Sequence, residues 1–147
     1  MKESLDFQYF KDIFQIEHGD ASGYSPLALA YIGDSIFDVM VRTIVVSRVN
    51  KQVNKYHKDV SRNVCATSQS LMMSAIHDRL TEEEQTIYKR GRNAHSYSKA
   101  KNASRADYRV ATGFEALIGY LYLKEDFKRL SDVVKMALDV LEADQGR

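Results

Sequence analysis

Apolar residues recur along this chain at helical rather than strand spacing, and two of the runs are apolar on nearly every side. Residues 4–17 carry Leu5, Phe7, Phe10, Ile13 and Phe14 at helical steps, which predicts a short helix packed on the body of the protein. Ser25-Pro26 opens a long helix, with serine as cap and proline in the first turn, expected to reach about Arg48. Residues 51–62 read as a polar amphipathic helix, and about Val64 to Leu80 as an apolar one. Thr81-Glu82-Glu83-Glu84 is a capping box, whose helix should run to Lys89 or Arg90 and stop at Gly91. Residues 92–105 have no hydrophobic period and read as a mobile basic loop. A buried helix should then cover about Arg105 to Lys124. A last amphipathic one, about Phe127 to Glu142, should turn Leu130, Val133, Val134, Ala137, Leu138 and Leu141 inward. Nothing alternates apolar and polar residues for long, and no repeat or linker divides the chain. The pattern predicts one all-α domain over residues 1–147.

The two most apolar runs each contain one acid. Asp34 lies in Leu27-Ala28-Leu29-Ala30-Tyr31-Ile32-Gly33-Asp34-Ser35-Ile36-Phe37, and Glu115 in the run from Ala111 to Leu123. A carboxylate buried in such a helix is costly unless a cation or hydrogen-bond donor meets it. An arginine partner is the ordinary solution for one acid. Two acids in two separate core helices, each beside a glycine that permits close approach, point instead to a shared divalent cation.

Composition narrows the setting. At 147 residues the chain is long enough for one real core. The single cysteine, Cys65, has no internal partner and is expected to serve as a small buried apolar residue in a reducing compartment. No run of apolar residues is long enough to span a bilayer and the amino terminus lacks a signal-peptide pattern, so a cytoplasmic protein is expected, or an organellar one whose presequence has been removed, with no membrane partner.

The charge is unevenly spread. Lys89, Arg90, Arg92, Lys99, Lys101, Arg105 and Arg109 face one acid, Asp107, in a segment whose balance is +6 in a chain of net charge +1. That is a localised anion-binding surface. Asn93, His95, Tyr97, Asn102 and Tyr108 within it add hydrogen-bonding and stacking groups suited to nucleic acid. His18, His57, His77 and His95 are scattered without metal-ligand spacing. Gly33 and Gly113 lie inside helices rather than in a phosphate-binding loop after a strand. What survives is an oxygen-ligand pair and a basic segment, which suits hard-cation chemistry on a phosphodiester.

Those residues carry a resemblance. Tyr31-Ile32-Gly33-Asp34-Ser35-Ile36 resembles the signature helix of the ribonuclease III family, and Gly113-Phe114-Glu115-Ala116-Leu117-Ile118-Gly119 resembles its second acidic motif. Together with Lys89-Arg90-Gly91-Arg92-Asn93-Ala94-His95, they look like the Mini-ribonuclease III branch, which keeps the catalytic domain and lacks the double-stranded-RNA-binding domain. The resemblance spans about residues 26–142. It implies the ribonuclease III helical fold as a homodimer, with magnesium, or manganese in its place, held by Asp34 and Glu115 as the catalytic and metal-binding pair. It further implies hydrolysis of double-stranded RNA to 5′-phosphate products, and maturation of the large-subunit (23S) ribosomal RNA precursor. Arg90, Arg92, Asn93, His95, Lys99, Lys101 and Arg105 are then the expected RNA-binding residues. Tyr31 matches the position where an aromatic residue docks into the partner protomer; the other reading of it is a core tyrosine.

The departures matter as well. The family glutamate one turn before the aspartate is here Ala30, and the aspartate three residues before the glutamate is Thr112. Such thinning is typical of the Mini-ribonuclease III branch. Fewer anionic ligands leave more of the cation's shell to water and RNA, so metal binding should be weak without substrate. Asp38, one turn after Asp34, either hydrogen-bonds a metal water or is a solvent-facing or arginine-paired acid; Thr112 is the other residue expected in the outer layer of the site. The alternative reading is a non-catalytic double-stranded-RNA binder or ribosome-assembly factor on a degenerate ribonuclease III fold.

Overall fold

The structure, a computed structural model, describes residues 7–17, 19–48, 60–94 and 104–145. Six helices account for most of them: α1 (Phe7–Ile13), α2 (Pro26–Arg48), α3 (Ala66–Ile76), α4 (Glu82–Arg92), α5 (Arg105–Leu123) and α6 (Phe127–Gln145). Short 3-10 turns lie at Ala21–Gly23 and His77–Arg79, residues 60–64 are helical, and there is no strand among the described residues.

The helix starts follow from local chemistry. Ser25 Oγ accepts from the Ala28 amide at 3.1 Å and opens α2. Thr81 and Glu84 form the complete reciprocal box of α4, with Thr81 Oγ1 accepting from the Glu84 amide at 3.1 Å and Glu84 Oε1 from the Thr81 amide at 2.9 Å. Ser104 Oγ accepts from the Asp107 amide at 3.0 Å and opens α5.

Helix α5 is the axis of the molecule. From Ala111 to Leu121 every residue is buried except Glu115. The other helices wrap it with the apolar stripes their patterns supply: Leu29, Ala30, Gly33, Phe37 and Val41 from α2, Met72, Met73 and Ile76 from α3, Ile87 and Tyr88 from α4, and Leu130, Val133, Val134, Ala137 and Leu141 from α6. Phe37 and Phe114 meet edge to face, 5.1 Å between centroids, at the centre of the α2–α5 contact.

Several expectations change. Helix α2 is not enclosed all round: Leu27, Tyr31 and Val39 are exposed on its outer side. Phe10, Ile13 and Phe14 of the amino-terminal segment are exposed as well; α1 docks through Phe7, stacked on Phe127 at 5.5 Å, and through the Lys11–Glu125 ion pair at 2.6 Å. Gly91 does not stop α4, which runs on to Arg92. An added Cβ at Gly91 would lie 2.7 Å from Ala116 Cβ and 2.9 Å from Gly113 Cα, so the glycine serves the packing of α4 on α5. Cys65 is exposed at the cap position of α3 rather than buried. The helix expected over residues 51–62 lies for the most part outside the described residues, as do Leu5 and residues 95–103 of the basic segment.

Candidate active site

Helices α2 and α5 cross with their backbones nearly touching. A Cβ built on Gly33 would fall 1.8 Å from the Glu115 carbonyl oxygen, and one on Gly119 would fall 2.0 Å from the Leu29 carbonyl oxygen. Only hydrogen fits at either position, so the two glycines set the helix separation. Asp34 follows Gly33 and Glu115 lies one turn before Gly119, so the crossing brings the two carboxyl groups together. Gly113, the glycine closest to Glu115 in sequence, does other work: its own Cβ would strike the Tyr88 ring at 2.6 Å, so it receives α4.

The two acids are not equally placed. Asp34 is exposed, contrary to the expectation of a buried carboxylate, because it lies on the outer stripe of α2 with Leu27, Tyr31 and Asp38. Glu115 is partly buried, at the edge of the α5 core. Burial pushes the Glu115 carboxyl up to about 9, the hydrogen bond with Asp34 and the Asp34 charge push the same way, and a Gln69 hydrogen bond opposes them.

Glu84 shows the ordinary solution to the same problem. It is also buried, but Arg129 grips both its oxygens, Nε to Oε2 at 2.8 Å and Nη2 to Oε1 at 2.8 Å. Burial alone would raise its carboxyl; hydrogen bonds from Arg129 and Thr81 outweigh burial and hold it below the usual carboxylate value. Glu84 is satisfied by a cation of the chain. Glu115 faces another acid.

Among the described residues no three His, Cys, Asp or Glu side chains cluster to hold a metal. A third element does reach it. Gln69 of α3 is buried, its Nε2 donates to the Val64 carbonyl at 2.9 Å, its amide favours the charged form of Glu115, and its Oε1 has no partner. Two carboxylates and an unpaired amide oxygen are hard donors, fit for magnesium with most of its shell left to water. Gln69 was not singled out in the sequence. The available signal was one long polar side chain on the face that also carries Met72, Met73 and Ile76.

The remaining candidates divide. Asp38 accepts from Arg42 Nε at 3.1 Å, the arginine-paired alternative. Thr112 is buried and its hydroxyl donates to the Tyr108 carbonyl at 2.9 Å, back along its own helix. Tyr31 is 82% exposed, so it is no core tyrosine. Arg90 donates to the carbonyls of Ser22, at 3.0 Å, and Tyr24, at 3.4 Å, tying the turn before α2 to α4. Arg92 bonds Asn93 Oδ1 at 3.2 Å and lies over the Tyr88 ring, while its carbonyl accepts from Arg109 Nε at 3.1 Å. Asn93 and Arg105 are exposed at the two sides of the undescribed segment, which contains His95, Lys99 and Lys101. His77 sits at the surface edge of Tyr88 beside Asp78, and the other three histidines lie outside the described residues.

Residues 27–126 match the Ribonuclease III domain family. The chain is 46% identical over 125 residues to the Mini-ribonuclease 3 of Clostridium tetani, covering 84% of this chain and 82% of that protein. It is 36% identical over 125 residues to the Mini-ribonuclease 3 of Streptococcus pneumoniae, covering 84% and 98%. A crystal structure of a Fusobacterium nucleatum protein superimposes with a TM-score of 0.73 at 28% identity, covering 82% of this chain and 96% of that one.

Proposed function

The chain belongs to the Mini-ribonuclease 3 group of the ribonuclease III family and is an endoribonuclease, and from that premise we propose that Asp34 and Glu115 are the residues that cut double-stranded RNA with a bound divalent cation. The observation that carries this reading is the acid pair itself: a partly buried glutamate turned toward a second carboxylate, in a molecule that meets its other buried glutamate with arginine.

Magnesium, with manganese as a substitute, would be held by Asp34 and Glu115, and when bound it supplies an activated water and neutralises charge on the phosphoryl oxygens. The chain's own part is placement. Gly33 and Gly119 hold the helices at a separation that presents both acids together. Asp34 stands on the open face of α2, where a phosphate backbone can approach, and Glu115 is braced by the core behind it. Neither acid need act as a general base in this scheme, and the 2′-hydroxyl is not the nucleophile: water forms the new P–O bond and the 3′-oxygen leaves, so the products carry 5′-phosphate and 3′-hydroxyl ends.

An A-form duplex is gripped through phosphates and 2′-hydroxyls. The basic segment between α4 and α5 would supply those contacts, with Arg105 and Asn93 at its ends. Tyr31 and Leu27 form an exposed apolar step one and two turns before Asp34, suited to a second copy of the chain. Such a homodimer would present one acid pair to each RNA strand. The biological task we assign is maturation of the 23S ribosomal RNA precursor in the cytoplasm.

The test is incubation of the full chain with a perfect RNA duplex and with its single strands, in magnesium and then in chelator. Magnesium-dependent cutting of the duplex alone, lost in Asp34→Asn and Glu115→Gln variants that still bind it, is the expected result. Cutting that survives either substitution at saturating magnesium removes the site assignment. Tight binding without cutting under any condition would favour the non-catalytic reading.

A further inference from the structure

Among the described residues, Gln69 Oε1 is the one buried side-chain oxygen or nitrogen with no hydrogen-bond partner. The residue is 2% exposed and sits on the core face of α3. Its Nε2 donates to the Val64 carbonyl at 2.9 Å. A carbonyl can only accept, so that bond sets which end of the amide is nitrogen and which is oxygen. The same amide lies beside Glu115 and favours its charged form, as an N–H donor does. The nitrogen end of the amide thereby serves the start of the helix and the acid. The oxygen next to it is left over inside the protein.

Leaving a buried acceptor unmade is costly, and a methionine of the same reach would pack among Met72, Met73 and Ile76 without that cost. The glutamine keeps the donor to the Val64 carbonyl, which a methionine would lose, and its oxygen is free to receive a donor when the site is filled. Hydration water around a small hard cation is a strong donor, and magnesium keeps several such waters when the protein offers few ligands. The side chain is also the link between the acid pair and a third helix, the arrangement by which outer residues orient metal-binding groups.

We propose that Gln69 is a positioning residue of the acid pair, its amide N–H holding the Glu115 carboxylate in place and its Oε1 accepting from the hydration shell of the bound divalent cation. The proposal rests on the assignment of Asp34 and Glu115 as the cation-binding pair. It gives α3 a share in the site, and it makes cation binding depend on a residue with no charge.

The test compares the full-length wild type with Gln69→Met, Gln69→Asn and Asp34→Asn. Thermal unfolding is followed as Mg2+ is titrated into chelator-treated protein, and duplex RNA cleavage is measured over the same Mg2+ range. Gln69→Met should raise the half-saturating Mg2+ concentration by about tenfold or more in both readouts. Gln69→Asn, which keeps the amide but withdraws it by one methylene from Glu115, should raise it as well. A Gln69→Met protein that unfolds at lower temperature yet keeps the wild-type half-saturating concentration in both readouts would mean that Gln69 only supports the start of α3, and the proposal falls. Should Gln69→Met fail to fold, Gln69→Asn decides: a half-saturating concentration equal to or below that of the wild type overturns the proposal. If the wild type responds to Mg2+ no more than Asp34→Asn does, in either readout, the acid-pair assignment fails and the Gln69 proposal goes with it. A wild-type response shared unchanged by Gln69→Met sinks the Gln69 proposal alone.

Discussion

Replacing Glu115 by glutamine should stabilise the cation-free protein, and by an amount that grows with pH. The carboxyl stands at about 9 in the folded chain against an ordinary 4.5, first because burial disfavours its charge and then because Asp34 repels it. A carboxyl raised on folding costs nothing below its unfolded value. As pH climbs through the interval up to about 9, the unfolded chain releases a proton that the folded chain keeps, and stability drains away. Each unit of such a difference is worth about 1.4 kcal/mol, so the whole interval sets a ceiling of roughly 6 kcal/mol. The exposed position of Asp34 lets water screen part of this, and about 2–3 kcal/mol by pH 8.5 is the working expectation. In a domain of this size that corresponds to roughly 5–10 °C in melting temperature. The assay is thermal unfolding of wild type and Glu115→Gln in chelator at half-unit steps from pH 5 to pH 9. The two curves should lie close together at pH 5 and diverge steadily upward. Added magnesium should close the gap by stabilising the wild type only, since a ligand stabilises the form that binds it. Parallel curves with a constant offset would refute the reasoning, because they would mean that Glu115 does not resist ionisation in the folded chain.

Three further outcomes are expected. Gly33→Ala places a methyl 1.8 Å from the Glu115 carbonyl oxygen, so it should cost about 3 kcal/mol or more and abolish cleavage; an unchanged melting temperature would contradict the close crossing. Arg90→Ala should lower the melting temperature by removing the donor to Ser22 and Tyr24, with little effect on the salt dependence of RNA binding, whereas Arg105→Ala should flatten that dependence by about one unit and leave stability alone. The reverse pattern would assign the phosphate contacts to Arg90. Tyr31→Ala should shift the chain toward monomer in sedimentation experiments, and an unaltered distribution would place any dimer contact elsewhere.

The parts of the fold that were legible in the sequence were those set by neighbours a few residues apart. Ser25, the Thr81–Glu84 box and the stripe of α6 each act within a turn or two, and the helices built on them appear where the pattern put them. What the pattern could not give was the side of a helix that a second helix covers. The run around Asp34 is apolar all round, which suggested full burial, yet α5 covers one stripe of it and leaves Leu27, Tyr31 and Asp34 outside. Phe10 and Phe14 misled for the same reason, since helical spacing says which residues share a face and nothing about whether a surface meets it. Glycine was ambiguous in a parallel way. Gly91 near a helix end reads as a stop, but α5 passes so close that the missing side chain is a matter of space.

The same distinction governs the candidate site. Asp34 and Glu115 stood out because each is an isolated charge in an apolar run, a property of local sequence. Gln69 did not, since a lone glutamine in a helix is unremarkable until its burial is known. Glu84 is the instructive opposite: it announced itself as a cap, and only the fold reveals that Arg129, forty-five residues on, grips both its oxygens. One buried and one partly buried glutamate therefore differ most in what the fold sets against them. Where an arginine arrives, the carboxylate ionises and fastens α4 to α6. Where a second carboxylate arrives instead, the carboxyl resists ionisation, and on the proposed reading a bound cation is what would let it ionise.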